Sequence, residues 1–411
     1  MEKLEDIKQI LKQYNGEHLL MYFDSLNEKE KRELMQDINS IDFELMNNFK
    51  NIVDLKSNMD VIEPTTAKKC GDFSGEEQDE LSKRGRNIIS SGQYAVITMA
   101  GGQGTRLGHS GPKGTFKLKL QDKDRYIFEI FIDNFKKAYN KYGVYLNWYI
   151  MTSKDNNNDT VEFFENNNYF GYPKDKVKFF MQGELPITDM DGNLLLENTH
   201  KVLKAADGNG GVFNALSKVL ADIKSQGIKW LLVTGIDNIL VNIADEFYIG
   251  LVDSENKLNG VKSIAKNSPE EKVGVFCKRN GKPSVIEYSE MDDEMRYAKD
   301  EKGELKYVES NIVNHLLNIE LLDKIQNEKL PIHKAIKKMQ YIDKNGVVQN
   351  PENPCLIKYE AFIFDYFNKV DDVTILRVQR EKEFAPVKNK EGQDSPETAT
   401  KLYNELYFKE V

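Results

Sequence analysis

Residues 94–100, YAVITMA, run directly into the glycine-rich stretch GGQGTRLGHSGPKG, and this junction most constrains the fold. A short continuous apolar run marks a strand covered on both faces. Three further runs of this kind, LNWYIMTS (146–153), VKFFMQ (177–182) and KWLLVTGID (229–237), alternate with helical patterns over residues 125–142, 159–167 and 212–226. The alternation predicts an α/β fold with a largely parallel sheet and helices on both faces. Ligands of such sheets bind beyond the carboxyl ends of the strands, where the loop after residue 100 lies.

Upstream, residues 1–92 read as a helical N-terminal segment. Leu4, Ile7, Leu11 and Tyr14 recur at helical spacing. Asn27 with Glu30 and Ser74 with Glu77 fit capping boxes, and VIEPTTAKKCGDFSG (61–75) reads as loop. Residues 93–370 read as a catalytic domain, in which GVKSIAK, VGVFCK, SVIEYSE, KYVESNIVNHLLNI and the hairpin-like YIDKNGVVQN extend or cap the first sheet. Residues 371–411 read as a last strand, a lysine-bearing loop and a helix from Pro396.

Fifty-seven basic against 66 acidic side chains give the 411-residue chain a net charge of −9. That balance argues against nucleic acid or an anionic membrane as partner, so an anionic ligand must meet a local basic pocket. No apolar run reaches the roughly 18–20 residues of a membrane span, and the first residues lack the order of a signal peptide. Cys70, Cys277 and Cys355 have no metal-ligand spacing and are expected to be small buried apolar residues. A reducing cytoplasm is the expected location.

The glycine loop fails two familiar motifs. From Gly102 the dinucleotide pattern continues to Gly104 but then meets Leu107, with the next glycine at 108. No Gly-Lys-Ser/Thr occurs, which excludes a Walker loop. What remains is a strand, a glycine run that lets backbone amides approach an oligophosphate, and Arg106 and Lys113 seven residues apart. Forked arginine and point-charge lysine suit a triphosphate and offset charge at a reacting phosphorus.

AGGQGTRLGHSGPKG resembles the signature of the UDP-sugar pyrophosphorylases, and within them the UDP-N-acetylhexosamine pyrophosphorylase branch. FMQGELPITD, AADGNGGVFNAL, IDNILVNIADEFYIG, VGVFCKRNGKPSVIEYSE, NIVNH, KYEAFIFD and EFAPVKN follow in the family's order, so the resemblance spans roughly residues 90–400. It implies a Rossmann-like nucleotidyltransferase fold (GT-A-like): a mixed central sheet with flanking helices, a helical leader and a short C-terminal extension. It also implies the reaction: UTP binds first, and a sugar 1-phosphate attacks its α-phosphorus and expels pyrophosphate. The attacking oxygen is already an anion, which fits a chain with five histidines and no acid/base constellation. Only His109 lies in the loop, and a surface or packing role is expected for it.

By this resemblance Met99, Ala100, Gly101 and Gly102 line the uridine and phosphate approach, Gln182 bonds the uracil edge, and Gly208 closes over it. Arg106, Lys113 and Lys388 face the reacting phosphates, and Lys358 also reaches UTP. Asn209, Gly274, Glu287, Tyr288 and Asn311 contact the sugar, with Phe362 and Phe364 walling an acetyl pocket. Asp237, at the end of a buried run, is suited to hold Mg²⁺, which takes few protein oxygens. From spacing alone Phe362 and Phe364 read as core aromatics, on one face if the segment is extended, and Lys358 and Lys388 as surface charges. Two departures adjoin the sugar side: CLIK lacks the family's glycine before Ile-Lys, and Glu309 and Ser310 replace Ala-Gly. UTP and a sugar 1-phosphate are the expected partners. N-acetylglucosamine 1-phosphate is the best fit, glucose 1-phosphate or a broad specificity the alternative, and a regulator that binds without catalysis a third. The oligomeric state is left open, a monomer included.

Overall fold

A computed structural model describes residues 4–50, 60–325 and 330–408. Residues 51–59 of the expected helical leader therefore lie outside the described residues. The chain divides into two units: Met1–Asn58 with Gly183–Gly211 and Leu330–Phe362, and Met59–Gln182 with Val212–Lys329 and Ile363–Val411. The boundaries expected at 92/93 and 370/371 both fall inside the second unit.

The second unit carries a mixed sheet of eleven strands among the described residues. In chain order they are β1 (Ile62–Pro64), β2 (Lys68–Lys69), β3 (Tyr94–Met99), β4 (Asn147–Thr152), β5 (Val177–Met181), β6 (Trp230–Gly235), β7 (Asn259–Ala265), β8 (Val275–Arg279), β9 (Lys282–Ile286), β10 (Glu309–Asn318) and β11 (Thr374–Arg377). The path is β2-β11-β7-β10-β6-β3-β4-β5, with β8 joining β1, β9 and β10. The four expected apolar runs are β3 to β6, and they form one parallel block in the order β6-β3-β4-β5. β10 enters antiparallel on both sides, so the sheet is mixed.

Three expectations need correction. Part of the expected loop 61–75 is strand: β1 pairs with β8 and β2 with β11. Such short edge strands are set by distant partners, which no local periodicity reveals. The helix expected over 212–226 is two pieces, Val212–Leu216 and Leu220–Ser225. Cys277 is buried as expected, but Cys355 is half-buried and Cys70 exposed.

Helix α1 (Gly75–Ser90) starts at the Ser74/Glu77 capping box. Helix α2 (Ile127–Tyr142) buries Phe128, Phe131 and Phe135 around Trp148 of β4, whose indole N–H donates to Thr98 Oγ1 on β3 at 2.8 Å. Helix α3 (Glu246–Ser254) meets α1 at backbone distance. A Cβ on Gly250 would stand 1.8 Å from Leu81 O, and one on Gly85 1.9 Å from Glu246 O. Gly250→Ala would gain about 1 kcal/mol of helix propensity, but backbone cannot yield as a side chain can. Overpacking should cost about 3 kcal/mol, with a net fall of about 5 °C in the thermal midpoint measured by circular dichroism.

The first unit is built from three separated stretches. The helix Leu4–Gln13 buries Ile7 and Leu11, as its spacing predicts, and Glu28–Asn39 starts at the Asn27/Glu30 box and buries Leu34 and Ile38. These side chains share a core with Leu196, Val202, Ile342, Ile357 and Tyr359. Lys204 reaches back to Asp37 (2.5 Å), and Phe49 stacks on Tyr359. The YIDKNGVVQN hairpin forms as expected, but it pairs with Leu196–Asn198 in this unit.

Candidate active site

Strands β3 and β6 are parallel neighbours, and from them the chain departs to opposite sides of the sheet: β4 and β5 beyond β3, β10 and β7 beyond β6. At such a switch point the loops after the two strands diverge and leave a crevice at the carboxyl ends. The loop after β3 holds Arg106 and Lys113, and the one after β6 holds Asp237.

Met99 closes β3, where its carbonyl accepts from Ile236 N (3.1 Å), and Ala100 N donates to Met151 O (2.7 Å). Lys113 N donates to Gly102 O and Gly104 N to Gly111 O, which folds the loop back on itself. Gln182 follows β5, and its amide lies against the loop: a Cβ on Gly101 would stand 2.8 Å from Gln182 Oε1. His109 is scaffold. Its Nε2 bonds Thr115 Oγ1 (2.7 Å), whose hydroxyl donates to Pro112 O, and its ring packs edge-on to Phe116.

Asn156 was not signalled by any motif. Fully buried, it donates from Nδ2 to Ala100 O (2.9 Å) and Gly102 O (3.4 Å), while Ser153 N donates to its Oδ1 (2.8 Å). It ties the turn after β4 to the start of the glycine loop and occupies the carbonyls of Ala100 and Gly102. An asparagine in an Asn run carries no signal of this; only the pairing of β3 with β4 brings it there.

Burial pushes the half-buried Lys113 ammonium below the usual lysine range; nearby Asp237 opposes the shift, and Lys388 and Arg106 add to it. Lys113 thus lies within electrostatic reach of Asp237, Lys388 and Arg106. Lys388 Nζ lies 3.8 Å from Asp237 Oδ2 and 3.9 Å from Asp394 Oδ2, beyond hydrogen-bonding reach of both. Asp394 is a second residue that sequence reasoning missed. Burial raises its carboxyl above the usual range, with Lys388 opposing and Asp237 adding to the rise.

On the same unit Gly274, Glu287 and Asn311 come together. A Cβ on Gly274 would stand 2.8 Å from Glu287 Oε1, and Asn311 N donates to Gly274 O (2.8 Å). Tyr288 is exposed. Phe364 is buried in the 3-10 segment Ile363–Lys369, so the extended backbone that would put it on one face with Phe362 does not form. A three-residue turn points residues two apart in different directions. The departure at Glu309 is structural: its buried carboxylate accepts from Arg377 and from Ser263 Oγ (2.6 Å).

Gly208, Asn209, Lys358 and Phe362 belong to the first unit. Gly208 has φ +88°, and a Cβ there would meet Ala361 O at 2.3 Å, so only glycine fits. Gly210 N donates to Ala361 O and Ala361 N to Asp207 O, which lays the Asn209 turn along the Phe362 end of Leu356–Glu360. Lys358 pairs with Glu360 at 2.6 Å, and Phe362 stacks on His333 at 4.6 Å. The departure in CLIK puts Leu356 in this unit's core, fully buried.

Residues 32–394 match the family described as UTP–glucose-1-phosphate uridylyltransferase. The chain belongs to this family. The UDP-N-acetylglucosamine pyrophosphorylase of Saccharomyces cerevisiae is 35% identical over 434 residues, covering 98% of this chain and 90% of that protein. UDP-N-acetylglucosamine diphosphorylase 2 of Arabidopsis thaliana is 34% identical over 427 residues, covering 98% and 83%. The crystal structure of the uridine diphosphate N-acetylglucosamine pyrophosphorylase from Trypanosoma brucei superposes with a TM-score of 0.83 at 30% identity, covering 98% of this chain and 84% of that one. The mixed α/β architecture is thus that of the UDP-sugar pyrophosphorylases, as the sequence implied. No helix among the described residues is long and apolar enough to cross a membrane.

Proposed function

We propose that this uridylyltransferase joins UTP to N-acetylglucosamine 1-phosphate, releasing pyrophosphate. The observation that carries the chemistry is Lys388 standing 3.8 Å from Asp237 at the switch point of the parallel strands, with Lys113 of the glycine loop in electrostatic reach of both. A phosphate oxygen of the sugar phosphate bonds to the α-phosphorus while the bond from that phosphorus to the β-phosphate oxygen breaks. The attacking group is already anionic, so no side chain need take a proton. Catalysis then rests on alignment and on charge neutralisation. Arg106 and Lys113 hold the triphosphate against the loop amides, and Lys388 offsets the charge that grows on the phosphates. Gln182 reads the uracil edge. Gly274, Glu287 and Asn311 take the sugar, Glu287 through its acceptor-only carboxylate, and Tyr288 and Phe364 add to the sugar contacts. For Asn209, Phe362, Gly208 and Lys358 of the first unit, the family resemblance supports the first two as sugar contacts and the last two as UTP contacts.

The residues fit Mg²⁺. Among the described residues no three His, Cys, Asp or Glu side chains cluster as a metal cage. Magnesium does not need one: it binds through one or two carboxylates plus phosphate oxygens and water. Asp237 would supply the carboxylate, and the bound ion would supply positive charge to the phosphates. The protein acts in the cytoplasm.

The choice of sugar rests on the names of the relatives above and on a sugar-side cluster that keeps Gly274, Glu287 and Asn311. Pyrophosphate release measured with UTP, Mg²⁺ and a panel of sugar 1-phosphates tests it. The kcat/KM for N-acetylglucosamine 1-phosphate should exceed that for glucose 1-phosphate by about tenfold or more. Equal values would establish a broad UDP-sugar pyrophosphorylase, and binding of UDP-sugar without pyrophosphate release a regulator.

A further inference from the structure

Lys262 of β7 is fully buried, yet it is neither in the glycine loop nor in any motif tied to substrate. Its ammonium donates to two carboxylates at 2.6 Å each, Asp245 and Glu383. Asp245 caps the start of α3 and ends the stretch that begins at Asp237. Glu383 begins the stretch that ends at Lys388. One buried cation thus pins the far ends of the two segments that carry the paired acid and lysine.

The start of the 237–245 segment is tied to the same partner segment by Asn238, itself buried. Its Nδ2 donates to Glu383 O (2.7 Å), and its Oδ1 accepts from Ala385 N (2.9 Å). Backbone bonds complete the junction: Ile239 N donates to Ala385 O and Val387 N to Asp237 O, with Asn238 and Pro386 forming an antiparallel bridge. Lys388 is therefore one residue from a bond to the carbonyl of Asp237. A change in this register changes the 3.8 Å separation of the two side chains.

We propose that Asn238 and Lys262 are positioning residues for uridylyl transfer, fixing the 383–388 segment on the 237–245 segment and so setting Lys388 against Asp237. This rests on the uridylyltransferase reading above. A displacement of about 1 Å at a reacting centre costs about 10²-fold in rate. Binding of UTP through the glycine loop and Gln182 is independent of the clamp, so the effect belongs in kcat.

The test is a double-mutant cycle on the full chain. Asn238→Ala should lower kcat by about 10- to 100-fold with the KM for UTP within about threefold. Combined with Lys388→Ala, it should cost less than about twofold further, because its effect passes through that lysine. A similar loss in both backgrounds, or an unchanged kcat in Asn238→Ala, overturns the proposal. Hydrogen exchange gives a readout free of activity: the Ala385 and Val387 amides should exchange about tenfold faster in Asn238→Ala while those of β6 do not change. If the wild-type protein transfers no uridylyl group, the activity reading fails, and unchanged exchange at those two amides is what overturns the clamp. The triple variant Lys262→Met, Asp245→Asn, Glu383→Gln leaves no buried charge and keeps a capping side chain at 245. It carries the same cycle and the same exchange measurement should Asn238→Ala not fold, with kcat again expected to fall by about tenfold.

Discussion

Lys388→Ala should lower kcat by about 10²- to 10³-fold, the usual cost of removing one preorganised contact to charge that develops in a transition state. The structure gives the reason for so large an effect. Asp237 and Asp394 flank the ammonium at 3.8 and 3.9 Å, so it is held in place without being consumed by a direct hydrogen bond. It also lies over the face of Phe384, 5.6 Å from the ring centroid. The KM for UTP should move far less, because Arg106, Lys113 and the loop amides remain. Steady-state pyrophosphate release measures both constants; an unchanged kcat would remove Lys388 from the reacting centre.

Asp237→Asn should raise the Mg²⁺ concentration for half-maximal activity by roughly tenfold or more, since even groups that only orient a metal ligand cost 10- to 100-fold when lost. The carboxylate sits immediately beyond β6. A Cβ on Gly235 would stand 2.6 Å from its Oδ1, so the strand end itself makes room for it. Asparagine keeps the shape and one acceptor but removes the charge. A Mg²⁺ titration that superposes on the wild type would place the metal elsewhere.

Much of the second unit was legible because its signals are local. The four apolar runs, the Ser74/Glu77 capping box and the loop between β3 and α2 each declare themselves within a dozen residues or so. Arg106, Lys113 and Asp237 could be placed at strand ends for the same reason. Pairing was not legible: β1 and β2 are strands only because β8 and β11 lie beside them, and 341–349 joins the first unit and not the sheet. Phe362 and Phe364 show a different limit, since alternation by two means a shared face only if the backbone is extended. Asn156, Asn238 and Lys262 went unread because each bonds a partner more than 50 residues away in sequence, Ala100, Glu383 and Glu383 respectively; Asp394 went unread because a lone acid near a lysine has no motif.

The first unit also has a consequence for how the chain is made. Ile7, Leu11 and Leu34 share their core with Ile357 and Tyr359, which leave the ribosome some three hundred residues later. At about 5–20 residues per second, that interval is roughly 15–60 s. Leu196 and Val202 arrive part-way through, but for all of it the nascent N-terminal helices lack the part of their core that Ile357 and Tyr359 supply. Holdase chaperones should therefore engage this protein at its first fifty residues and release it only as residue 359 emerges.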